Sequence, residues 1–183
     1  MVNFYRRFIP HCSGLLTPLT DILRQKPSPK SLCLTDAQTQ AFHQTKEALQ
    51  NATRLGFIDD RSELQLLTDA SDIAAGAVLE QVRDGKRQPI AFFSHKFHPA
   101  QTRYSTFGRE LLAIYQAIKH FQHFLEGRQF TIFTDHKPLT FALRTNSSRH
   151  SPREARQLDY ISQFSAEIKH IKGTDNVVAD ALS

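Results

Sequence analysis

Apolar residues recur along the chain with two different spacings, and the first part of the chain has the helical one. Residues 15–25 (LLTPLTDILRQ) and 36–52 (DAQTQAFHQTKEALQNA) place apolar side chains on one helical face, and the proline-containing stretch KPSPK separates them. Thr35 or Asp36 is a suitable N-cap for the second helix. We therefore expect a small helical connector over residues 1–60.

The second part, residues 61–183, shows the alternation that is typical of strands. Five strands are expected, at ELQLLTD, AAGAVLEQVR, QPIAFFSHK, QFTIFTD and AEIKHI, and the pair Asp84 and Gly85 between the second and third predicts a tight hairpin. Helical spacing predicts a long amphipathic helix over residues 106–125 and helices at PLTFAL, PREARQLDYISQF and TDNVVADALS. This order of elements predicts an α/β domain with a mixed five-stranded sheet flanked by helices.

Two of the expected strands end in an aspartate. Asp69 follows LLT and Asp135 follows IFT, and the strand period places Asp69 on the face of Leu67 and Asp135 on the face of Phe133. A carboxylate on a buried face costs several kcal/mol unless a partner compensates its charge, and a metal ion is the strongest such partner. The alternative is that each aspartate caps the turn that follows its strand.

The expected helices supply two more acids. Glu110 is in register with Ile114, Ala117 and Phe121, so it heads the apolar stripe of the long helix; the alternative is an acid in the first turn that interacts with the helix dipole. Asp180 lies between apolar residues in VVADALS, where the alternative is the exposed face of a terminal helix. Four carboxylates from strand ends and helices suit Mg²⁺, and two such ions about 4 Å apart promote phosphodiester hydrolysis.

Composition narrows the class of protein without naming its function. The net charge of +5 and the pI near 9.4 favour a polyanionic partner. Cys12 and Cys33 are too few for a disulfide framework or a four-cysteine zinc site. The polar, basic start MVNFYRRFIPH is unlike a signal peptide and no apolar run has the length of a membrane span, so we expect an intracellular protein without a membrane partner.

Several long motifs, in this order, resemble the ribonuclease H domain of gypsy-type long-terminal-repeat retrotransposon polymerases: LLTDASDIAAGAVLEQ, YSTFGRELLAI, FTIFTDHKPL and HIKGTDNVVADALS. The segment NFYRRFIPHCSGLLTPLTDIL resembles the end of the reverse transcriptase thumb and the connection segment after it. The resemblance implies a ribonuclease H-like fold for residues 61–183. It also implies a thumb and connection remnant in residues 1–60, and a parent polyprotein that supplies the rest of the reverse transcriptase.

The resemblance further implies an endonuclease that hydrolyses the RNA strand of RNA–DNA hybrids during reverse transcription. Its catalytic and metal-binding acids would be Asp69, Glu110, Asp135 and Asp180, with Asp69 and Asp135 near both of two Mg²⁺ ions, or Mn²⁺ in their place. Water is the nucleophile in this chemistry, and the products carry a 5′-phosphate and a 3′-hydroxyl. The expected location is the cytoplasm, with a virus-like particle or the nucleus as alternatives.

Other residues are candidates for contact with the hybrid. Ser71, after Asp69, either hydrogen-bonds the RNA or orders the site, and recognition would depend on helix shape and the 2′-hydroxyl. His170 either assists product release or points into solvent from its strand. A basic stretch either contacts phosphates or forms a solvated helix face; its members are Arg144, Arg149, Arg153 and Arg156.

Two features limit the assignment. GFIDD, with Asp59 and Asp60, mimics the paired aspartates of a polymerase, but we assign it to a turn in the connector and expect no polymerase site in this chain. The end at Ser183 suggests a fragment, which would leave the helix with Asp180 free to fray. The alternatives are therefore a catalytically silent nucleic-acid-binding or structural fragment and, less consistent with the spacing of the acids, a transposase or integrase.

Overall fold

The computed structural model describes residues 9, 11–24, 34–50, 58–59, 62–144, 150–164 and 166–183. The helices are α1 (Cys12–Thr20), α2 (Asp36–Gln50), α3 (Thr106–Leu125), α4 (Pro152–Ser162) and α5 (Val177–Asp180), and 3₁₀ turns cover Asp21–Arg24, Lys137–Arg144 and Gly173–Asp175. The strands are β1 (Glu63–Ala70), β2 (Ala74–Arg83), β3 (Lys86–Lys96), β4 (Phe130–Thr134) and β5 (Ala166–His170). None of the described helices combines the length and apolar character that a membrane crossing requires.

The five strands form one mixed sheet in the order β3-β2-β1-β4-β5. β2 pairs antiparallel with β1 and β3, whereas β4 runs parallel to β1 and β5. The parallel pairs bring the carboxyl ends of β1, β4 and β5 to the same edge of the sheet, which is where sites collect in such folds. The predicted mixed sheet flanked by helices is confirmed.

The hairpin between β2 and β3 forms where the sequence predicts it. Asp84 and Gly85 have φ values of 51° and 71°, and Arg83 pairs with Lys86 across the turn. Two residues with positive φ give the tight turn whose twist matches that of the strands. The Asp-Gly pair therefore fixes the register of β3 on β2.

Each face of the sheet is covered by helices from a different part of the chain. α3, with α4 packed against it, covers one face, and the buried stripe predicted on α3 meets side chains such as Leu66 and Ile132 there. On the other face Leu67 and Val78 pack against Ala179 and Leu182 from the region of α5. The site at the strand ends is consequently bounded by α3 on one side and α5 on the other.

The described part of residues 1–60 contains the helices α1 and α2, and α1 lies against β3. Ile9 and Cys12 are buried, and Asp21 approaches Lys96 at 4.0 Å. Thr35 caps α2 by accepting a hydrogen bond from the Gln38 amide at 3.3 Å, so of the two predicted caps it is Thr35 that is used. The boundary at residues 60 and 61 lies outside the described residues, and the division into two domains stays a prediction.

The predicted helices at PLTFAL and TDNVVADALS differ from the structure. Lys137–Arg144 is a 3₁₀ segment, and the C-terminal stretch splits into a 3₁₀ turn and the four-residue α5. Asn176 separates the two parts because its buried side-chain amide donates to the carbonyl of Thr68 at 3.0 Å. This tertiary bond interrupts the regular helix that the apolar spacing predicts.

Candidate active site

Three of the four predicted acids meet at the carboxyl edge of the sheet. Asp69 is the second-to-last residue of β1, Asp135 directly follows β4, and Glu110 comes from α3. Each contributes a carboxylate oxygen to a group in which all ligand atoms lie within 4.8 Å of one another. Because β1 and β4 are parallel neighbours with Leu67 opposite Phe133, their ends place the two aspartates side by side.

Glu110 is the most buried of the three, with 4% of its surface exposed. It lies in the second turn of α3, because Ser105 is the N-cap and bonds the Gly108 amide. The helix-dipole alternative, which requires the first turn, is therefore wrong. Burial, followed by the charges of Asp69 and Asp135, raises the pKa of Glu110 from 4.5 to about 8.

The two aspartates differ in exposure. Asp69 is half-buried, and burial together with the charges of Asp135 and Asp180 raises its pKa, against a hydrogen bond from Ser183 that lowers it. Asp135 is exposed, so the expectation of an acid on a buried face is wrong for this residue. The reason is that β4 ends at Thr134 and the chain bends at Asp135, so the strand alternation no longer applies there.

These carboxylates fit a hard divalent cation. One oxygen of Glu110, Oε2, is buried and has no hydrogen-bond partner among the described residues. The backbone amide of Ala70 lowers the pKa of Asp69 and of Glu110, but burial and the neighbouring acids have the larger effect, and both pKa values are raised. A cation would compensate both the unpartnered oxygen and the like charges, and oxygen ligands of this kind are those that Mg²⁺ and Mn²⁺ take.

Asp180 lies beside this group but outside it. Among the acids of the described residues it is not one of the three whose oxygens converge, and its side chain is exposed, although its charge contributes to the raised pKa of Asp69. The segment that carries Asp180 is packed on the sheet, and fraying of its helix stays a prediction. Ala179 and Leu182 are buried, and Ser94 donates to the Leu182 carbonyl at 2.8 Å.

Ser71 is committed to the turn between β1 and β2. Its hydroxyl accepts from the amides of Ile73 and Ala74 at 3.2 and 3.0 Å and approaches the Ala74 carbonyl at 3.4 Å. Of the two predicted roles, these contacts support ordering of the site.

The basic stretch is only partly described, since the side chain of Arg144 and the whole of Arg149 lie outside the described residues. Arg153 places its guanidinium carbon 3.6 Å from the ring centre of Tyr104, the residue before the cap of α3. Arg156 is exposed and bonds the Pro152 carbonyl through Nε at 3.1 Å. Arg153 and Arg156 therefore lie in the first two turns of α4, and Arg153 packs against Tyr104 just before α3.

Two histidines lie at the same edge of the sheet. His170 ends β5 opposite Thr134 and is exposed, which agrees with the solvent-facing alternative. His136 follows Asp135, and burial lowers its pKa, against the neighbouring carboxylate. Its ring centre lies 6.0 Å from that of Phe107, which also stacks on His150 at 5.5 Å. These rings link the site to the start of α4.

Asp59, from the stretch that mimics a polymerase motif, precedes β1 and contacts residues of β2. Its amide donates to Gln81 Oε1 at 2.9 Å, and its carboxylate lies 3.6 Å from Arg83. Asp60 lies outside the described residues. Asp59 is not part of the converging acids, which supports the assignment to a turn.

No pattern in the sequence singles out Arg109, yet its side chain connects the start of α3 with the loop that follows Asp69. Its guanidinium donates to Asp72 at 2.7 Å, in the loop that follows Asp69, and to the carbonyl of Tyr104 at 3.1 Å. Its charge also lowers the pKa of Glu110, against the larger effect of burial. The only available signal was its position beside Glu110, since all of its partners are brought together by the fold.

Comparison with known proteins identifies the family of this chain. Residues 34–132 match the family described as the RNase H-like domain found in reverse transcriptase. The chain is 38% identical over its whole length to the Tf2-3 and Tf2-4 transposon polyproteins of Schizosaccharomyces pombe, and it spans 14% of their length.

Solved structures share the fold. The foamy viral protease-reverse transcriptase in complex with an RNA/DNA hybrid superposes with a TM-score of 0.76 at 19% identity, over 93% of this chain and 23% of that one. LC11-RNase H1 in complex with an RNA/DNA hybrid gives 0.51 at 15% identity, over 66% and 93%. The chain therefore belongs to the RNase H-like domains of reverse transcriptases, and its homologues are retrotransposon polyproteins.

Proposed function

We propose that this domain hydrolyses the RNA strand of RNA–DNA hybrids with two Mg²⁺ ions, for which Mn²⁺ can substitute. The observation that carries the proposal is the convergence of Asp69, Glu110 and Asp135 from three separate elements to within 4.8 Å. Three carboxylates so close together repel one another, and the arrangement costs stability unless cations bind. Hydrolysis of a phosphodiester is the reaction that such a site suits.

Each acid has a distinct part in this proposal. Asp69 and Asp135 form the centre because they end neighbouring parallel strands, and Glu110 closes the site from the buried side. Asp180 completes it from α5, close enough for its charge to act on Asp69. Bound divalent ions would supply Lewis-acid stabilisation of the phosphate and lower the pKa of water. The chain's own contribution is to hold these oxygens in place and to exclude solvent around Glu110.

The start of α4 is proposed to bind the substrate. Arg153 and Arg156 supply positive charge for backbone phosphates, and the stack of Arg153 on Tyr104 keeps its guanidinium near the first turn of α3. Ser71 supports the site by ordering the loop after Asp69. Two structural neighbours were solved with RNA/DNA hybrids, which supports a hybrid as the ligand here. His170 is retained as a proposed aid to product release because it ends β5 beside the site.

The parent protein supplies the remaining partners in this proposal. The chain spans 14% of the Tf2 polyproteins, so polymerase and other activities would belong to the segments beyond it. Residues 1–60 would be the thumb and connection remnant that joins residues 61–183 to the polymerase part. An intracellular location follows from the same proposal, because reverse transcription of a retrotransposon takes place inside the cell.

The proposal is tested with the purified 183-residue chain and a hybrid that carries label in the RNA strand. Cleavage is expected in Mg²⁺ or Mn²⁺ and should be absent with chelator, with single-stranded RNA, and in Asp69→Asn or Asp135→Asn. Asp84→Asn is the matched control, because this exposed aspartate lies in the β2–β3 turn where asparagine also adopts positive φ. Intact RNA in the wild-type chain under both metals would favour a catalytically silent nucleic-acid-binding fragment.

A further inference from the structure

We propose that Ser183 is a positioning residue that holds Asp69 in its metal-binding orientation and joins it to the segment that carries Asp180. This inference rests on the proposed function, since it assigns a role toward the metal. Of the three converging carboxylates, Ser183 bonds Asp69.

The contact of Ser183 with Asp69 is short. The Oγ of Ser183 donates to Asp69 Oδ2 at 2.6 Å. The Oγ of Ser183 also lies 3.0 Å from the carbonyl oxygen of Asp180. A hydroxyl has one proton, and the shorter distance to the negatively charged partner assigns that proton to Asp69. The amide of Ser183 donates to the Asp180 carbonyl at 3.2 Å, so the backbone holds the serine to α5 without the hydroxyl.

The place of Ser183 is fixed by the sheet beneath it. Gly76 pairs with Asp69 across β1 and β2, and a Cβ at this position would come within 2.4 Å of the Ala179 carbonyl and 2.5 Å of the Ser183 amide. Real Cβ atoms do not approach backbone so closely, so the missing side chain of Gly76 lets the C-terminal turn rest directly on the strand.

Two further bonds hold the residues that precede Ser183 in the same segment. Asn176 donates to the Thr68 carbonyl, and Ser94 donates to the Leu182 carbonyl. With the backbone held at these points, the hydroxyl of Ser183 meets Asp69 as a fixed donor. A carboxylate held by such a donor keeps one rotation about its Cβ–Cγ bond, and partners of this kind typically change metal affinity by about ten- to a hundredfold when removed.

The experiment compares two serines that bond the same segment. Ser183→Ala removes the donor to Asp69, whereas Ser94→Ala removes an equivalent donor to the neighbouring Leu182 carbonyl and leaves Asp69 untouched. Mn²⁺ binding is measured by calorimetry on the whole chain, and cleavage of the labelled hybrid is measured across the same Mn²⁺ concentrations. Ser183→Thr retains the hydroxyl and serves as the conservative rescue.

Ser183→Ala is expected to weaken Mn²⁺ binding about tenfold or more and to shift the Mn²⁺ dependence of cleavage by the same factor, with Ser183→Thr close to wild type. Ser94→Ala should keep the wild-type Mn²⁺ affinity. Equal losses in the two alanine variants would overturn the inference, because they would show that only docking of the segment matters. Unchanged Mn²⁺ affinity in Ser183→Ala would also overturn it.

The failure of the proposed function has a different signature. A wild-type chain that binds no Mn²⁺ and cleaves no hybrid would overturn the proposed function and this inference together. A wild-type chain that binds and cleaves, beside a Ser183→Ala variant that does so equally well, would overturn the inference alone.

Discussion

Glu110 and Glu80 are two glutamates of nearly equal burial, 4% and 5% exposed, with very different surroundings. Each has one carboxylate oxygen, Oε2, that is buried without a hydrogen-bond partner among the described residues. Burial is the largest cause of a raised pKa in both. For Glu110 the charges of Asp69 and Asp135 raise the pKa further, to about 8, whereas for Glu80 the charge of Arg87 lowers it.

The difference shows that burial of an acid does not by itself mark a site. Glu80 lies on β2, and the positive charge of Arg87 partly offsets the cost of burying the carboxylate charge of Glu80. A buried acid with a structural role is accommodated in this way. Glu110 is instead placed beside two more acids, which increases the cost of its charge. Like charges beside a buried carboxylate raise its pKa further and favour the binding of a cation, so neighbouring acids are a better indication of function than burial alone.

The largest expected effect is a difference in the rate of hybrid cleavage between variants of Glu110 and Glu80. Glu110→Gln should lower hybrid cleavage by about a thousandfold or more, because an uncharged amide is a poor ligand for Mg²⁺ at the proposed centre. Glu80→Gln should leave the rate close to wild type. Initial rates of cleavage of labelled hybrid at saturating Mg²⁺ measure both. Similar rates for the two variants would remove Glu110 from the proposed metal site.

How much of this site follows from sequence depends on the range of the interactions involved. The Asp84 and Gly85 turn and the stripe on α3 headed by Glu110 were predicted correctly because both are local patterns of spacing or of turn residues. Asp69 and Asp135 were found because apolar strands ended in the same unusual way. Their closeness was implied only by the family resemblance, and the parallel pairing of β1 with β4 gives its structural basis.

What the sequence missed depends on tertiary contacts. The exposure of Asp135 follows from the bend after Thr134, which the alternating pattern does not reveal. The division of the C-terminal helix follows from a single amide bond between Asn176 and a strand more than 100 residues earlier. The contacts of Arg109 with Asp72 and of Ser183 with Asp69 could not be predicted for the same reason, since the partners are distant along the chain.

The second expected effect is on stability in the absence of metal. The pKa of Glu110 is about 8 in the folded chain against an ordinary value of 4.5, so between these pH values the folded state holds a proton that the unfolded state has released. Its stabilising contribution is fully present below pH 4.5 and is lost as the pH rises through about 8. We expect a loss of about 2–4 kcal/mol in the free energy of unfolding. Urea unfolding in chelator at several pH values measures it.

Variants of the two glutamates provide the control for this pH dependence. Glu110→Gln should remove most of the pH-dependent loss, whereas Glu80→Gln should remove a smaller part, because its pKa is raised without help from other acids. Mn²⁺ at about 100 times its Kd should restore about 2.7 kcal/mol in the wild-type chain and in Glu80→Gln. A wild-type pH profile that matches that of Glu110→Gln would contradict the raised pKa.

The smallest expected effect concerns the cation beside Glu80. Arg87 is exposed, so its attraction to Glu80 is weakened by solvent, and a double-mutant cycle of Arg87→Ala with Glu80→Gln should give a coupling of about 0.5–1 kcal/mol at pH 8. At pH 4 the coupling should approach zero, because Glu80, whose pKa is raised, is then protonated. Lys86→Ala, at the neighbouring exposed position, is the matched control for the loss of one positive charge. A coupling as large at pH 4 as at pH 8 would mean that Arg87 acts on Glu80 by packing. The contrast between Glu80, whose charge is balanced by Arg87, and Glu110, whose neighbours are acids, would then have no electrostatic basis.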